Sequence, residues 1–340
     1  MHENMNSLLE KIAAGGILTA DESELAFSNI MSDQASPVQM AAFLMALRIR
    51  GETVDEITGA VKCMRQKMLT IQAPSDAMDI VGTGGDAKGT HNISTCTAFV
   101  VAGAGIPVAK HGNRAISSKS GAADVLAALG VNVEADVPTI EKSLKEANIC
   151  FLWAPKHHSA MRYVMPVRQE LATRTIFNIL GPLCNPARVR RQFTGSFSRN
   201  WIKPMAQTLG NLGSQRAWVV HGADGMDELS TTGVSYVAEL LDGKVSTFEI
   251  EPGEVGIKKA SIEELVGGDP DYNANAIKDV LNGNNGPLFN IIIYNAGAAI
   301  FVAGKAENLK TGIDMAVNSI ESGKASEALH RLIEITNLPP

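Results

Sequence analysis

Aromatic residues make up only 5% of the 340-residue chain, too few to furnish a platform on which nucleic-acid bases stack. Cysteine is scarce too. Cys63, Cys96, Cys150 and Cys184 stand far apart with no CxxC pair, a spacing that argues against zinc and fits reduced thiols in a cytoplasm. No apolar run reaches the roughly 20 residues needed to span a bilayer. The longest, 291–303, is broken by Asn295 and Gly297 and reads as a buried core helix. The amino terminus opens with His2, Glu3 and Asn4 rather than a basic stretch before an apolar one, so no secretory signal is legible. What remains, 45% hydrophobic and 19% charged, is a globular composition long enough for two domains.

Acid is missing where it matters. Neither 87–123 nor 171–223 contains a single Asp or Glu. Between Ala87 and Ala223 sixteen Lys and Arg face six Asp and Glu, so this segment carries +10 and the rest −16 of the net −6. Acid-free runs rich in small residues can simply be buried. Here the cations sit beside glycines at expected loop ends, which favours an electropositive cleft for an anionic substrate.

Residues 1 to about 70 read as helices. Leu8, Leu9, Ile12 and Ala13 share one face, and Met40, Phe43, Leu44, Leu47 and Ile49 another, opened by Ser36 as cap and Pro37 in the first turn. Val54, Ile57, Val61, Met64 and Met68 form a third. Composition shifts at Ala73-Pro74-Ser75, and strands then alternate with helices: strands at 79–81, 107–109, 149–153 and 218–221, helices at 94–104 and 122–129. That alternation predicts a mostly parallel sheet with ligand loops at its carboxyl edge. The stretch 158–183 reads as helical again. The expected fold is α/β: a small all-helical domain over 1–72, joined by helices from about 158–185, and a larger α/β domain over 73–340.

The chemistry concentrates in three loops. Gly82-Thr83-Gly84-Gly85-Asp86 follows a strand and precedes a helix, so glycine lets backbone amides approach an anion. It matches a dinucleotide fingerprint through Gly82, Gly84 and Ala87, but no acid follows about twenty residues on, and it lacks the Walker ending. A tight turn needing glycine is the bland alternative. Asn92, Ser94 and Thr95 then open an apolar helix, as ordinary caps or as further donors for an anion. Lys110-His111-Gly112-Asn113-Arg114 and Ser117-Ser118-Lys119-Ser120-Gly121 form a second cradle, which points to two phosphates held apart. Last comes Asp224-Gly225-Met226-Asp227-Glu228, whose adjacent carboxylates call for a cation. With hard oxygens and phosphate nearby, Mg²⁺ suits them, against the alternative of a solvated acidic turn.

These motifs, with Arg174-Thr-Ile-Phe-Asn-Ile-Leu-Gly-Pro182, Asn185-Pro186 and Asp227-Glu228-Leu229, resemble the anthranilate phosphoribosyltransferases of tryptophan biosynthesis across essentially the whole chain. The resemblance implies transfer of phosphoribose from phosphoribosyl pyrophosphate (PRPP) to the amine of anthranilate, two Mg²⁺ ions and a homodimer, with no role for membrane or nucleic acid. It implies PRPP contacts from Gly82, Gly85, Asp86, Thr90, Asn92, Ser94, Thr95, Lys110, Ser118 and Lys119. Ser94, Asp227 and Glu228 would hold metal, and Lys110 with the two acids would supply the electrostatics. Gly82, His111, Asn113, His158 and Arg168 would line the anthranilate site, Arg168 as a bidentate fork for the carboxylate. Two positions depart from the family pattern: Ala122, where many relatives carry serine, and Ala87-Lys88, where glycine is usual after Asp86. The rival readings are a pyrimidine nucleoside phosphorylase and a nucleic-acid-binding protein of the same fold.

Overall fold

The computed structural model describes residues 4–115 and 119–338. Four helices come first: α1 (Met5–Ala13), α2 (Ala20–Ile30), α3 (Pro37–Arg50) and α4 (Val54–Lys67). Each begins where a short polar side chain accepts an otherwise orphaned amide, from Asn4, Thr19, Ser36 and Thr53 in turn. Glu22, Gln39 and Glu56 complete reciprocal capping boxes on the last three. Glu56 does more. Fully buried, its carboxylate also accepts from the Leu18 amide at 2.9 Å and from the Arg50 guanidinium, joining three helix ends.

From α4 the chain runs to β1 (Met78–Gly82), so the composition shift falls in the connection. There follow α5 (Ile93–Gly103), β2 (Val108–Gly112), α6 (Ala122–Ala128), α7 (Val137–Ala147), β3 (Ile149–Trp153) and α8 (Ala154–His157). After a 3₁₀ turn at Ser159–Tyr163 come α9 (Met165–Leu171), α10 (Phe177–Leu180), β4 (Arg191–Gly195), α11 (Arg199–Asn211) and β5 (Arg216–Gly222). The hairpin β6 (Ser235–Leu241) and β7 (Lys244–Ile250) precedes α12 (Pro270–Leu281), α13 (Pro287–Val302), α14 (Leu309–Glu321) and α15 (Lys324–Thr336).

Among the described residues the strands form one sheet, ordered β3-β2-β1-β4-β5-β6-β7, in which β6 alone runs antiparallel, to both β5 and β7. The fold is thus a small helical domain plus a larger α/β domain with a mostly parallel sheet. β1 and β4 lie side by side in parallel, yet their helices return toward opposite edges. That reversal makes the crevice above their carboxyl ends the place for a ligand.

The stretch 158–183 is not one helix. Pro166 opens α9, Ala172 closes it in a left-handed conformation at φ 46°, and Pro182 follows α10, so the run breaks into short turns. Its apolar residues Val164, Val167, Ile176 and Phe177 share a core with Phe27, Phe43 and Leu47 of the amino-terminal helices. The strand β4 escapes periodicity because it buries the polar Gln192 and Thr194 on either side of Phe193; Gln192 donates to the Pro182 carbonyl at 2.5 Å. The broken apolar run lies in α13, where Ile291 to Ile300 are all buried. No helix among the described residues is long and apolar enough to cross a membrane.

Candidate functional site

Gly82 and Gly195 end β1 and β4 at the same register. Both are glycines because Asp227 sits on them. A Cβ at Gly195 would lie 1.5 Å from the Asp227 carbonyl oxygen, and one at Gly82 would lie 2.4 Å from its Oδ2. The loop after β5 therefore rests directly on the switch point. Its shape is set from within by Asp224, whose Oδ2 accepts from Ser230 Oγ at 2.6 Å and Thr232 Oγ1 at 2.7 Å, while Oδ1 accepts from the Met226 amide. From beneath, the buried Asn295 of α13 accepts from the Leu229 amide and donates to the Leu229 carbonyl, both at 2.9 Å. The polar interruption in the apolar run thus holds the backbone next to Glu228.

The glycine loop faces this acidic loop. Gly84 and Gly85 adopt φ of 65° and 70°, and Ala87 adopts 59°, a left-handed conformation that costs an alanine roughly 1–2 kcal/mol. The usual glycine after Asp86 has its physical reason there. The Gly84 amide donates to the Asp227 carboxylate at 2.8 Å, and Asp86 Oδ1 accepts from the Lys88 amide at 3.1 Å. Arg174, which sequence reasoning noted only as part of a motif, donates to the Gly85 carbonyl and stacks 4.1 Å over the Phe197 ring. Arg48 of α3 in turn donates to the Arg174 carbonyl and to Thr173 Oγ1. The helical domain thereby grips the loop.

Lys110 lies on β2 beside β1. It is buried, with Nζ donating to the Ile80 carbonyl at 2.7 Å and toward Ser94 Oγ at 3.4 Å. Burial lowers its pKa, opposed by the charges of Asp79, Glu228 and Asp227. Burial pushes Asp227 and Glu228 above the usual carboxylate range; the charge of Asp86 adds to the rise at Asp227, and those of Asp227 and Asp86 to the rise at Glu228. These are hard oxygens short of positive charge, and Ser94 brings a hydroxyl beside them. Among the described residues no three His, Cys, Asp or Glu form a closed cage. Two carboxylates and a hydroxyl as hard oxygen donors fit Mg²⁺, which keeps water and phosphate oxygens among its ligands. Asp79, which the sequence marked only as strand, is fully buried on β1. Burial pushes it up to about 6 although its Oδ1 accepts from the His111 amide at 3.0 Å.

The other expected residues divide. Asn92 caps α5 only by position; its amide bonds Ser120 instead of the helix. Thr95 is buried with Oγ1 unpartnered among the described residues, and Thr90 pairs with Val266 in an isolated bridge. Lys119 is exposed, and Ser118 lies outside the described residues. His111 and His158 are buried together, Nε2 to Nε2 at 3.2 Å. Burial and mutual repulsion depress His111 far below the ordinary histidine value, and burial with the charge of His157 takes His158 down to about 4. Asn113 stands exposed at the end of β2. Arg168 is half-buried over the Phe177 ring at 5.2 Å, its Nη1 meeting only Met165 Sδ at 3.8 Å, with no carboxylate paired to it among the described residues. Part of the basic excess serves something else: Arg191 and Arg216 begin β4 and β5, at the sheet edge opposite the crevice.

Two family models cover the chain: the helical bundle domain of a glycosyl transferase family over residues 6–68 and its a/b domain over 74–326. The anthranilate phosphoribosyltransferase of a Chelativorans strain is 55% identical over 337 residues, 99% of each chain. The crystal structure of the Thermus thermophilus anthranilate phosphoribosyltransferase superposes with a TM-score of 0.93 at 41% identity, covering 97% of this chain and 99% of that one. The Saccharomyces cerevisiae enzyme in complex with PRPP and Mg superposes at 0.88 with 30% identity, covering 98% and 97%. On full-length identity, architecture and the loops gathered at the switch point, the chain belongs to the anthranilate phosphoribosyltransferases.

Proposed function

We propose that the crevice between β1 and β4 holds PRPP by its pyrophosphate and delivers its ribose to anthranilate lying toward Arg168. The observation that carries this reading is the seating of Asp227 on the two strand-ending glycines, with its carboxylate bonded to the glycine loop. Amides of Gly82 to Asp86 and the start of α5 face the leaving group. Asp227, Glu228 and Ser94 hold Mg²⁺, two ions when PRPP is bound, and Lys110 fixes the charge of that cluster. The metal supplies Lewis-acid stabilisation of charge building on the departing pyrophosphate. Gly85, Thr90, Thr95, Ser118 and Lys119 complete the phosphate contacts.

On the acceptor side, Arg168 offers a guanidinium without an acidic partner, suited to the anthranilate carboxylate. His111, Asn113 and His158 line the approach, the two imidazoles neutral. The amine attacks the anomeric carbon opposite the leaving group. No protein nucleophile is needed, and a neutral aryl amine needs no dedicated base, so positioning and electrostatics do the catalysis. A phosphorylase or a nucleic-acid binder finds no comparable support, because the full-length relatives are transferases.

Three further readings belong here. An outward stripe on α3, with Val38 at 78% and Ile49 at 80% exposure and Ala42 and Met45 between them at helical spacing, supports a homodimer through the helical domain. The shared core of 164–184 with α1 to α4 supports counting that segment with the 1–72 domain and drawing the α/β domain from 73. A cytoplasmic site of action fits the four buried free cysteines. The test of the reaction is loss of anthranilate fluorescence on adding PRPP, with and without Mg²⁺. Metal-dependent loss is expected, and its absence in the unmodified chain would sink the reading.

A further inference from the structure

The two anion loops are far apart in sequence yet meet at one side chain. Asn92, at the end of the glycine-loop segment, donates through Nδ2 to the Ser120 carbonyl at 3.2 Å, and its Oδ1 accepts from Ser120 Oγ at 3.1 Å. A third bond comes from behind: Asn273 Nδ2, in the first turn of α12, donates to the same Oδ1 at 2.9 Å. That donor fixes which way the Asn92 amide points, since an inverted amide would set N–H against N–H and oxygen against the Ser120 carbonyl.

Asn273 is itself held rigidly. It is 2% exposed, and its Oδ1 accepts from the Gly268 amide at 2.9 Å. The strap it holds lies along the glycine-loop segment: the Gly267 amide donates to the Gly89 carbonyl and the His91 amide to the Leu265 carbonyl. A Cβ on Gly267 would sit 2.8 Å from Asn273 Oδ1 and 2.8 Å from the Thr90 carbonyl oxygen. Beside it, Tyr272 stacks on His91 with ring centroids 5.6 Å apart. One turn of α12 therefore clamps residues 89–92 from outside the crevice.

We infer that Asn273 is a positioning residue for PRPP, locking the Asn92 amide so that the glycine loop and the Lys119-Ser120-Gly121 loop keep one fixed separation. It touches neither substrate; it sets the spacing of the two phosphate cradles. The inference rests on the PRPP reading above. Losing its donor frees the Asn92 amide to flip and release Ser120, which weakens PRPP without disturbing the Arg168 side.

Two variants of the full-length chain test this. Asn273→Ala removes the bonds to Asn92 and to Gly268, while Asn273→Asp keeps the volume and the bond from the Gly268 amide but reverses the polarity facing Asn92 and, more distantly at 3.4 Å, the Gly268 carbonyl. Both should raise the KM for PRPP about tenfold, the worth of one buried hydrogen bond, and leave the KM for anthranilate within about twofold. Ser120→Ala combined with Asn273→Ala should cost less than the two separately, because both act through Asn92. If Asn273→Asp, soluble and folded by its melting curve, keeps the wild-type KM for PRPP, or shifts both substrates equally, the inference fails. If Asn273→Ala cannot be purified folded, the Asp variant decides alone. An unmodified chain that binds no PRPP by calorimetry overturns the functional reading instead.

Discussion

Substituting Gly195 by alanine probes the site through its scaffold alone. The new methyl would lie 1.5 Å from the Asp227 carbonyl oxygen, 2.5 Å from its carbonyl carbon and 3.2 Å from its Cα. All three are backbone atoms, so no rotamer change relieves the clash. Ordinary contact with that oxygen begins near 3.4 Å, so the loop must retreat by about 1.9 Å. Gly195 also shares its register with Gly82, and the Gly84 amide would lose its 2.8 Å bond to the displaced carboxylate. Overpacking of this kind costs about 1–3 kcal/mol of stability, which leaves a folded chain. Activity should suffer far more. Misplacing a positioning group by about 1 Å can cost on the order of a hundredfold, so kcat/KM for PRPP should fall at least that far. The fluorescence assay reads the rate and a melting curve reads the fold. Gly253→Ala, where a Cβ meets nothing within 4 Å, should match the wild type in both. A Gly195→Ala chain within threefold of wild-type kcat/KM would refute the claim that this contact positions the acidic pair.

Other consequences follow from single contacts. Asn295→Leu leaves the Leu229 amide and carbonyl without their bonds; it should cost about 3 kcal/mol, seen as a lower urea midpoint, and an unchanged midpoint would contradict the role given to Asn295. Ala122→Ser restores the family's usual hydroxyl at the start of α6 and should lower the KM for PRPP about two- to tenfold; an unchanged KM would mean no phosphate oxygen lies there. His158 stays neutral in the fold down to about 4, against an ordinary 6.5, with His111 against it and Lys110 and His157 beside the pair. The unfolded chain therefore protonates first as pH falls, so this group's stability is intact above about 7 and declines toward 4. At pH 5 the loss is about 2 kcal/mol. His158→Gln should flatten the melting temperature between pH 7 and 5, and an equally steep profile would count against the buried neutral pair.

What the sequence made legible was local. The glycine loop, Lys110-His111-Gly112 and Asp227-Glu228 are short motifs whose residue types already state their chemistry, and the βα alternation placed them at strand ends. Partners distant in the chain were not legible. Arg174 lies 89 residues from Gly85, Asn295 66 from Leu229, and Asn273 181 from Asn92. Asn295 left a trace as a polar break in an apolar run, without saying what it held. The stretch 158–183 misled because helical periodicity survives when Pro166 and Ala172 cut the helix into pieces. Lys110 is another case: its residue type suggested an anion ligand, but not the bond its amine makes to the Ile80 carbonyl 30 residues away. Ala87 is the converse case. The sequence flagged it as unusual, and its φ of 59° supplies the reason.

The central claim is that one crevice binds two substrates at separate ends, pyrophosphate at Asp227 and Glu228, anthranilate at Arg168. It is tested most directly by measuring both KM values, in one Mg²⁺-dependent assay, for the wild type, Arg168→Ala and Asp227→Asn. Arg168→Ala should raise the KM for anthranilate at least tenfold, about 1.4 kcal/mol or more, and leave that for PRPP within twofold. Asp227→Asn should do the reverse and raise the Mg²⁺ concentration needed for half-maximal rate. If either variant moves both KM values together, or if Asp227→Asn leaves the Mg²⁺ requirement unchanged, the two ends have been wrongly assigned.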